Sequence, residues 1–149
     1  MDTSADLART VIDRDACLRL LAGHRVGRVL FTAAAMPAAL PVGYVLDGEA
    51  VVFRAAPGSS LARGAHGRVI GIQADEIDPE TAAGWTVLGL GEAYEITDVD
   101  QLAGLAQRAP RWSAGGLRLR TLCIPLQCLT GSYLGGADVG PPLTAEETP

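Results

Sequence analysis

Leu40 to Leu61, LPVGYVLDGEAVVFRAAPGSSL, reads as a β-hairpin that ends in a glycine-serine turn feeding a helix. Asp47-Gly48 lies between two runs rich in Val, Leu, Tyr and Phe, and Asp-Gly is favoured where a tight hairpin turn needs positive φ. Placing Leu46 against Glu49 sets Val45 opposite Ala50, Tyr44 opposite Val51, Gly43 opposite Val52, Val42 opposite Phe53 and Pro41 opposite Arg54. Alternation then sorts the hairpin into two unlike faces. Val42, Tyr44, Leu46, Val51 and Phe53 form a bulky face suited to a core. Pro41, Gly43, Val45, Ala50, Val52 and Arg54 form a low-volume face with a cation at its open end. A flat ring system can lie against such strands and leave Arg54 to meet an anion.

The residues after Arg54 continue that reading. Ala55-Ala56-Pro57-Gly58-Ser59-Ser60 leads into a short helical segment, Leu61 to Ala65. Unpaired N–H groups and the positive end of the dipole make a helix N-terminus attractive to phosphate, and Ser59 and Ser60 add hydroxyls. The plainer alternative is a serine N-cap after a Pro-Gly turn, with Arg54 as a surface residue.

Working outward, 149 residues make one domain with a substantial core. Hydrophobic residues at 48% against 19% charged exclude a disordered chain. All twelve basic residues are Arg and the formal charge is −5, which argues against nucleic acid as a partner. No apolar run reaches membrane-spanning length, and MDTSADLARTVIDRD lacks a basic-then-apolar leader pattern, so the expected location is the cytoplasm. Cys17, Cys123 and Cys128 read as small buried hydrophobes. Cys123 and Cys128 fall on opposite faces of one predicted strand, and with only His24 and His66 as further soft ligands no metal site is expected. His24 reads as a helix-end residue and His66 likewise. Asp75, Glu76, Asp78 and Glu80 read as a solvated turn before Pro79.

Along the chain, residues 1–12 read as an N-terminal arm, 13–134 as the folded domain and 135–149 as a flexible tail. Asp13 caps a short amphipathic helix that ends at Gly23. Strands are predicted over Val26–Thr32, both arms of the hairpin, Arg68–Ile77, Trp85–Ile96, where Gly89 and Gly91 mark a bend or close backbone approach, and Leu117–Tyr133, bent at Pro125. Thr97-Asp98 caps a helix containing Leu102 and Leu105. Six strands and three short helices predict a mainly β, α+β fold: a six-stranded antiparallel barrel with short flanking helices. Helices do not alternate with strands, and no GxGxxG follows the first strand, which disfavours a doubly wound sheet.

The ordered segments CLRLLAGHRVGRVLF, LPVGYVLDGEAVVFRAAPGSSLA, DEIDPETAAGWTVLGLGEA, PRW and a closing strand ending CLTG resemble the pyridoxamine 5'-phosphate oxidase-like family of FMN-binding split barrels, over roughly Cys17 to Thr130. The resemblance implies a homodimer with two flavin sites at the subunit interface. It implies a flavin phosphate at Arg54, Gly58, Ser59, Ser60 and Leu61, and an isoalloxazine ring along Val42, Gly43, Tyr44 and Val52. Trp85 and Trp112 are then expected near the flavin, from the partner subunit. Such proteins commonly carry Asn at the position of Gly43 and Lys at that of Ser60, so Arg63 or Arg68 is the candidate replacement cation. Related barrels that use a deazaflavin or heme stay open as alternatives to FMN.

No Ser/His/Asp or Cys/His arrangement can be assembled, which suits a protein whose cofactor carries the redox chemistry. Three functions follow: an FMN-dependent oxidoreductase acting on a small molecule, a flavin, deazaflavin or heme binding module without turnover, and a structural dimer whose site is filled by its own side chains. The first is the reading the resemblance favours.

Overall fold

The computed structural model describes residues 8–109, 112 and 118–135. In chain order the elements are β1 (Ala8–Ile12), α1 (Arg14–Ala22), β2 (Val26–Ala33), β3 (Met36–Asp47), β4 (Ala50–Ala55), α2 (Ser60–Ala65), β5 (Val69–Ile77), β6 (Gly84–Glu92), β7 (Tyr94–Ile96), α3 (Val99–Arg108), β8 (Arg120–Pro125) and β9 (Cys128–Gly135). The strands form a curled antiparallel sheet in the order β1-β9-β6-β5-β2-β3-β4-β8-β7. This is the antiparallel barrel expected from the strand pattern, in the split form that the resemblance implies.

Nine strands replace the expected six for local reasons. The described part of the N-terminal arm is β1, which pairs with β9 from Ala8↔Gly135 to Ile12↔Gly131. The Trp85–Ile96 segment divides at Ala93, whose N–H donates to Arg68 O and whose carbonyl accepts from Gly67 N, so the chain leaves one half of the barrel and enters the other. The closing segment divides after Pro125, where Leu126 N donates to Glu49 O and the strand direction reverses. Cys123 and Cys128 therefore lie on different strands, and Cys128 is exposed, whereas Cys17 and Cys123 are buried as expected. Of the expected tail, Gly135 closes β9 and the remainder lies outside the described residues.

β3 holds the two halves together. Met36 to Gly43 pair with β2, and Tyr44 to Asp47 pair with β4. At the changeover Tyr44 N donates to Arg25 O at 2.9 Å, and the buried Tyr44 phenol donates to Leu21 O at 2.6 Å. That bond satisfies a carbonyl in the last turn of α1, a helix begun by Asp13, whose carboxylate accepts from Ala16 N.

The hairpin register differs from the expected one. Asp47 pairs with Ala50, Leu46 with Val51, Val45 with Val52 and Tyr44 with Phe53. The turn residues are Gly48 and Glu49, and only Gly48 has positive φ, at +61°, a pattern that calls for glycine in the first position rather than Asp-Gly in both. Each partner moves by two residues, so the faces are preserved. Tyr44, Val51 and Phe53 enter the main core with Val29, Phe31, Ile72, Val87, Leu122 and Ile124.

Backbone contact between the halves is tightest at Gly91, where a Cβ would stand 1.7 Å from Pro125 O. Because both groups are main chain, Gly91→Ala is expected to lower stability by about 3 kcal/mol or more, measured by urea unfolding monitored by circular dichroism.

Candidate functional site

The low-volume face of the hairpin is the starting point. Gly43, Val45, Ala50, Val52 and Arg54 share it with Thr121 and Cys123 of β8 and with Tyr94 and Ile96 of β7, as the register requires. α3 packs onto its centre. Val52, Ile96, Cys123 and Leu105 form a second, smaller core, flanked by Ala50, Leu102 and Trp112. Val52 is fully buried there, so the floor open to a flat ring is the part around Gly43 and Val45.

Two cavities flank Trp112. One, of about 380 Å³, is lined by Arg25, Gly43, Tyr44, Val45, Arg108, Ala109 and Trp112. The other, of about 200 Å³, is lined by Arg54, Thr121, Leu119, Trp112 and the Leu102, Leu105 and Ala106 face of α3. Arg54 donates to the Trp112 carbonyl, and its guanidinium lies 5.5 Å from the centre of the indole ring. Arg108 holds the end of α3 to the hairpin by donating to Asp47 Oδ1 at 2.7 Å and to Leu46 O.

The expected phosphate residues are divided between separate places. Ser59 caps α2, accepting from Ala62 N at 3.1 Å and donating to Ala56 O at 2.7 Å. Gly58 lies in the left-handed region at φ +76°, and its carbonyl accepts from Arg63. Leu61 belongs to the main core. Ser60 lines a third cavity, of about 500 Å³, together with Thr32, Arg63, Arg68 and the β2–β3 turn. Both candidate replacement cations thus stand beside Ser60, whereas Arg54 lies in the cavity beside Trp112. Val42 packs against the main core. Trp85, 3% exposed, sits in that core with the His24 ring edge-on at 4.7 Å, away from the three cavities.

Sequence reading missed Arg25 and Arg108. Arg108 carried the usual signature of a basic residue in the last turn of a helix, and only the tertiary fold brings that turn to the Asp47 hairpin. His24 also ends its helix, with Nδ1 3.2 Å from Leu20 O, while His66 accepts from Glu95 N.

Around the site the titrations are displaced upward. The Tyr94 phenol is pushed up to about 12, chiefly by its hydrogen bond to Cys123 and then by burial. Burial raises the Cys123 thiol, partly offset by the Tyr94 hydrogen bond, and burial raises Tyr44 well above the ordinary phenol range. These three groups stay protonated near neutral pH. What the arrangement offers a ligand is shape, stacking surface and fixed positive charge.

Residues 13–125 match the family model described as pyridoxamine 5'-phosphate oxidase. The chain is 38% identical over 120 residues to the Mycobacterium tuberculosis protein Rv0080, covering 73% of this chain and 76% of the relative. Among solved structures it is similar to an FAD binding protein from Mycobacterium smegmatis, with a TM-score of 0.69, 26% identity and coverage of 85% of this chain and 98% of the other. An FAD and heme binding protein from the same organism shares the fold at a TM-score of 0.68 and 16% identity, over 86% of this chain and 74% of the other.

The floor at Gly43 has room. A Cβ there would meet only Arg25 O, at 3.7 Å, an ordinary contact. Gly43→Ala is therefore expected to change the unfolding midpoint by no more than a few tenths of a kcal/mol equivalent, about ±0.5, in the same urea experiment that unfolds Gly91→Ala early.

Proposed function

The chain belongs to the pyridoxamine 5'-phosphate oxidase family, and from that premise we propose that it is an FMN-dependent oxidoreductase acting on a small molecule. The observation that carries this reading is the juxtaposition of an apolar floor at Gly43 and Val45, an indole wall at Trp112 and a guanidinium at Arg54. This donor set fits a flavin: a planar ring takes the floor and wall, and a phosphate takes the cation. Bound flavin would accept and pass on a hydride or electrons. The chain's own groups orient it and exclude water.

The dimer belongs to the same proposal. On the outer side of the sheet, Leu30, Pro37, Ala39, Val69, Gly71 and Leu90 line a shallow groove of about 490 Å³, and Met36 and Val69 are 66% and 68% exposed. β3 alternation puts Ala39, Pro41 and Gly43 on this outer side, so a second copy packed here would wall the Gly43 cavity. The free, exposed thiol of Cys128 suits the reducing cytoplasm. No helix among the described residues is long and apolar enough to cross a membrane.

A second reading, a non-catalytic flavin or deazaflavin binding module, is favoured by the described residues lining the three cavities, whose ionisable side chains are arginines and the protonated Tyr44. Heme is the weaker alternative, since among the described residues no His, Cys or Met lines the three cavities, and His24 and His66 are bonded elsewhere.

The test is an absorbance spectrum of purified protein after excess FMN and gel filtration. Stoichiometric retained flavin, bleached by a reductant, is the expected result; passage of both FMN and FAD through the column unbound would overturn the proposal. Arg54→Ala is expected to weaken FMN binding between about tenfold and about a hundredfold, the worth of one charge-assisted hydrogen bond. Should Arg63→Ala/Arg68→Ala produce that loss instead, the phosphate belongs in the Ser60 cavity.

A further inference from the structure

Several arginines meet partners within the fold. Arg14, Arg28, Arg108 and Arg120 pair with Glu49, Asp75, Asp47 and Glu95, and Arg54 and Arg63 donate to main-chain carbonyls. Arg25 differs: among the described residues its side chain makes no ion pair and no hydrogen bond. Its main chain is fixed nonetheless. The Arg25 carbonyl accepts from Tyr44 N at 2.9 Å, where β3 changes partners, and passes 3.7 Å from the place a Gly43 Cβ would take. The side chain lines the 380 Å³ cavity whose floor is Gly43 and Val45. Arg108 lines the same cavity, but Asp47 holds its guanidinium at 2.7 Å. No carboxylate is among the described residues of that lining, so Arg25 leaves the cavity with an unmatched positive charge.

We propose that Arg25 tunes the flavin: its unmatched charge makes the Gly43 floor hold the reduced, anionic ring more tightly than the oxidised, neutral one. The inference rests on the reading that a flavin ring takes that floor, and it adds the residue that decides which redox state the site prefers. Two electrons and one proton, supplied by an external reductant such as dithionite, convert the neutral ring to a monoanion. A cation beside the ring stabilises the product of that step and leaves the starting state nearly unaffected, because the neutral ring has no net charge for it to meet. Of the two cations on the cavity, Arg25 can turn to the ring without breaking an ion pair. Arg108 would have to leave Asp47.

The reduction potential of the FMN-loaded protein, measured by equilibration with a reference dye, tests it. Arg25→Gln is expected to weaken binding of reduced FMN about tenfold relative to oxidised FMN, the lower end of what a charge-assisted bond is worth. That ratio lowers the two-electron potential by about 30 mV. Arg25→Lys keeps the charge and is expected to hold the potential near that of the unsubstituted protein. Arg25→Met stands in should Arg25→Gln fail to fold by circular dichroism. Arg19→Gln removes an equal charge from the last turn of α1, outside the cavity lining, and is expected to leave the potential unchanged. An unchanged potential in folded, flavin-loaded Arg25→Gln overturns the assignment, and so does an equal fall in Arg19→Gln, which reports net charge rather than place. Loss of oxidised FMN by Arg25→Gln also overturns it, because Arg25 is then an anchor of the cofactor. If the unsubstituted protein retains neither FMN nor FAD, the flavin reading itself fails and this inference falls with it; bound flavin with a potential indifferent to Arg25 sinks the inference alone.

Discussion

The structure depends on one strand serving two sheets. β3 leaves β2 and joins β4 between Gly43 and Tyr44, and the side chain at that changeover is a buried phenol bonded to the end of α1. A tyrosine hydroxyl inside a core must find a partner or incur the cost of desolvation. Leu21 O supplies it, and in doing so locks the helix to the seam where the barrel divides. Whatever lies on the two faces of the hairpin is fixed by that seam: Phe53 and Val51 inward, Val45 and Arg54 outward.

The outward face then serves two purposes in conflict. Its centre is small because α3 packs on it, as Val52, Cys123 and Leu105 show. Its ends border cavities, and there stand Gly43 and Arg54. Low volume along a strand is thus ambiguous evidence. It marks space, and a helix from the same chain can fill space as well as a ligand can.

That ambiguity explains what was legible in the sequence. The two faces of the hairpin, the helix begun by Asp13 and the close approach at Gly91 could all be read from local pattern, because turn chemistry and period-two alternation act over a few residues. The hairpin register slipped, since Asp-Gly and Gly-Glu turns differ only in which residue takes positive φ. The strand breaks at Ala93 and Leu126 carry no turn signature of their own; hydrogen bonds to Arg68, Gly67 and Glu49, distant in sequence, create them. The same holds at the site. Arg54 and Trp112 were recognisable individually, but their mutual contact is tertiary, and the separation of Ser60 from Arg54 depends on how α2 turns away from β4.

The pairing of β1 with β9 has a consequence for biosynthesis. β9 also fills the edge of β6, from Gly84↔Leu134 to Leu90↔Cys128. While a nascent chain is still short of Cys128, β6 presents an unpaired edge and β1 has nothing to join. Open strand edges are sites of intermolecular pairing, and contacts between distant segments form slowly. The emerging polypeptide therefore carries an open strand edge from the completion of β6 at Glu92 until β9 arrives from Cys128 onward.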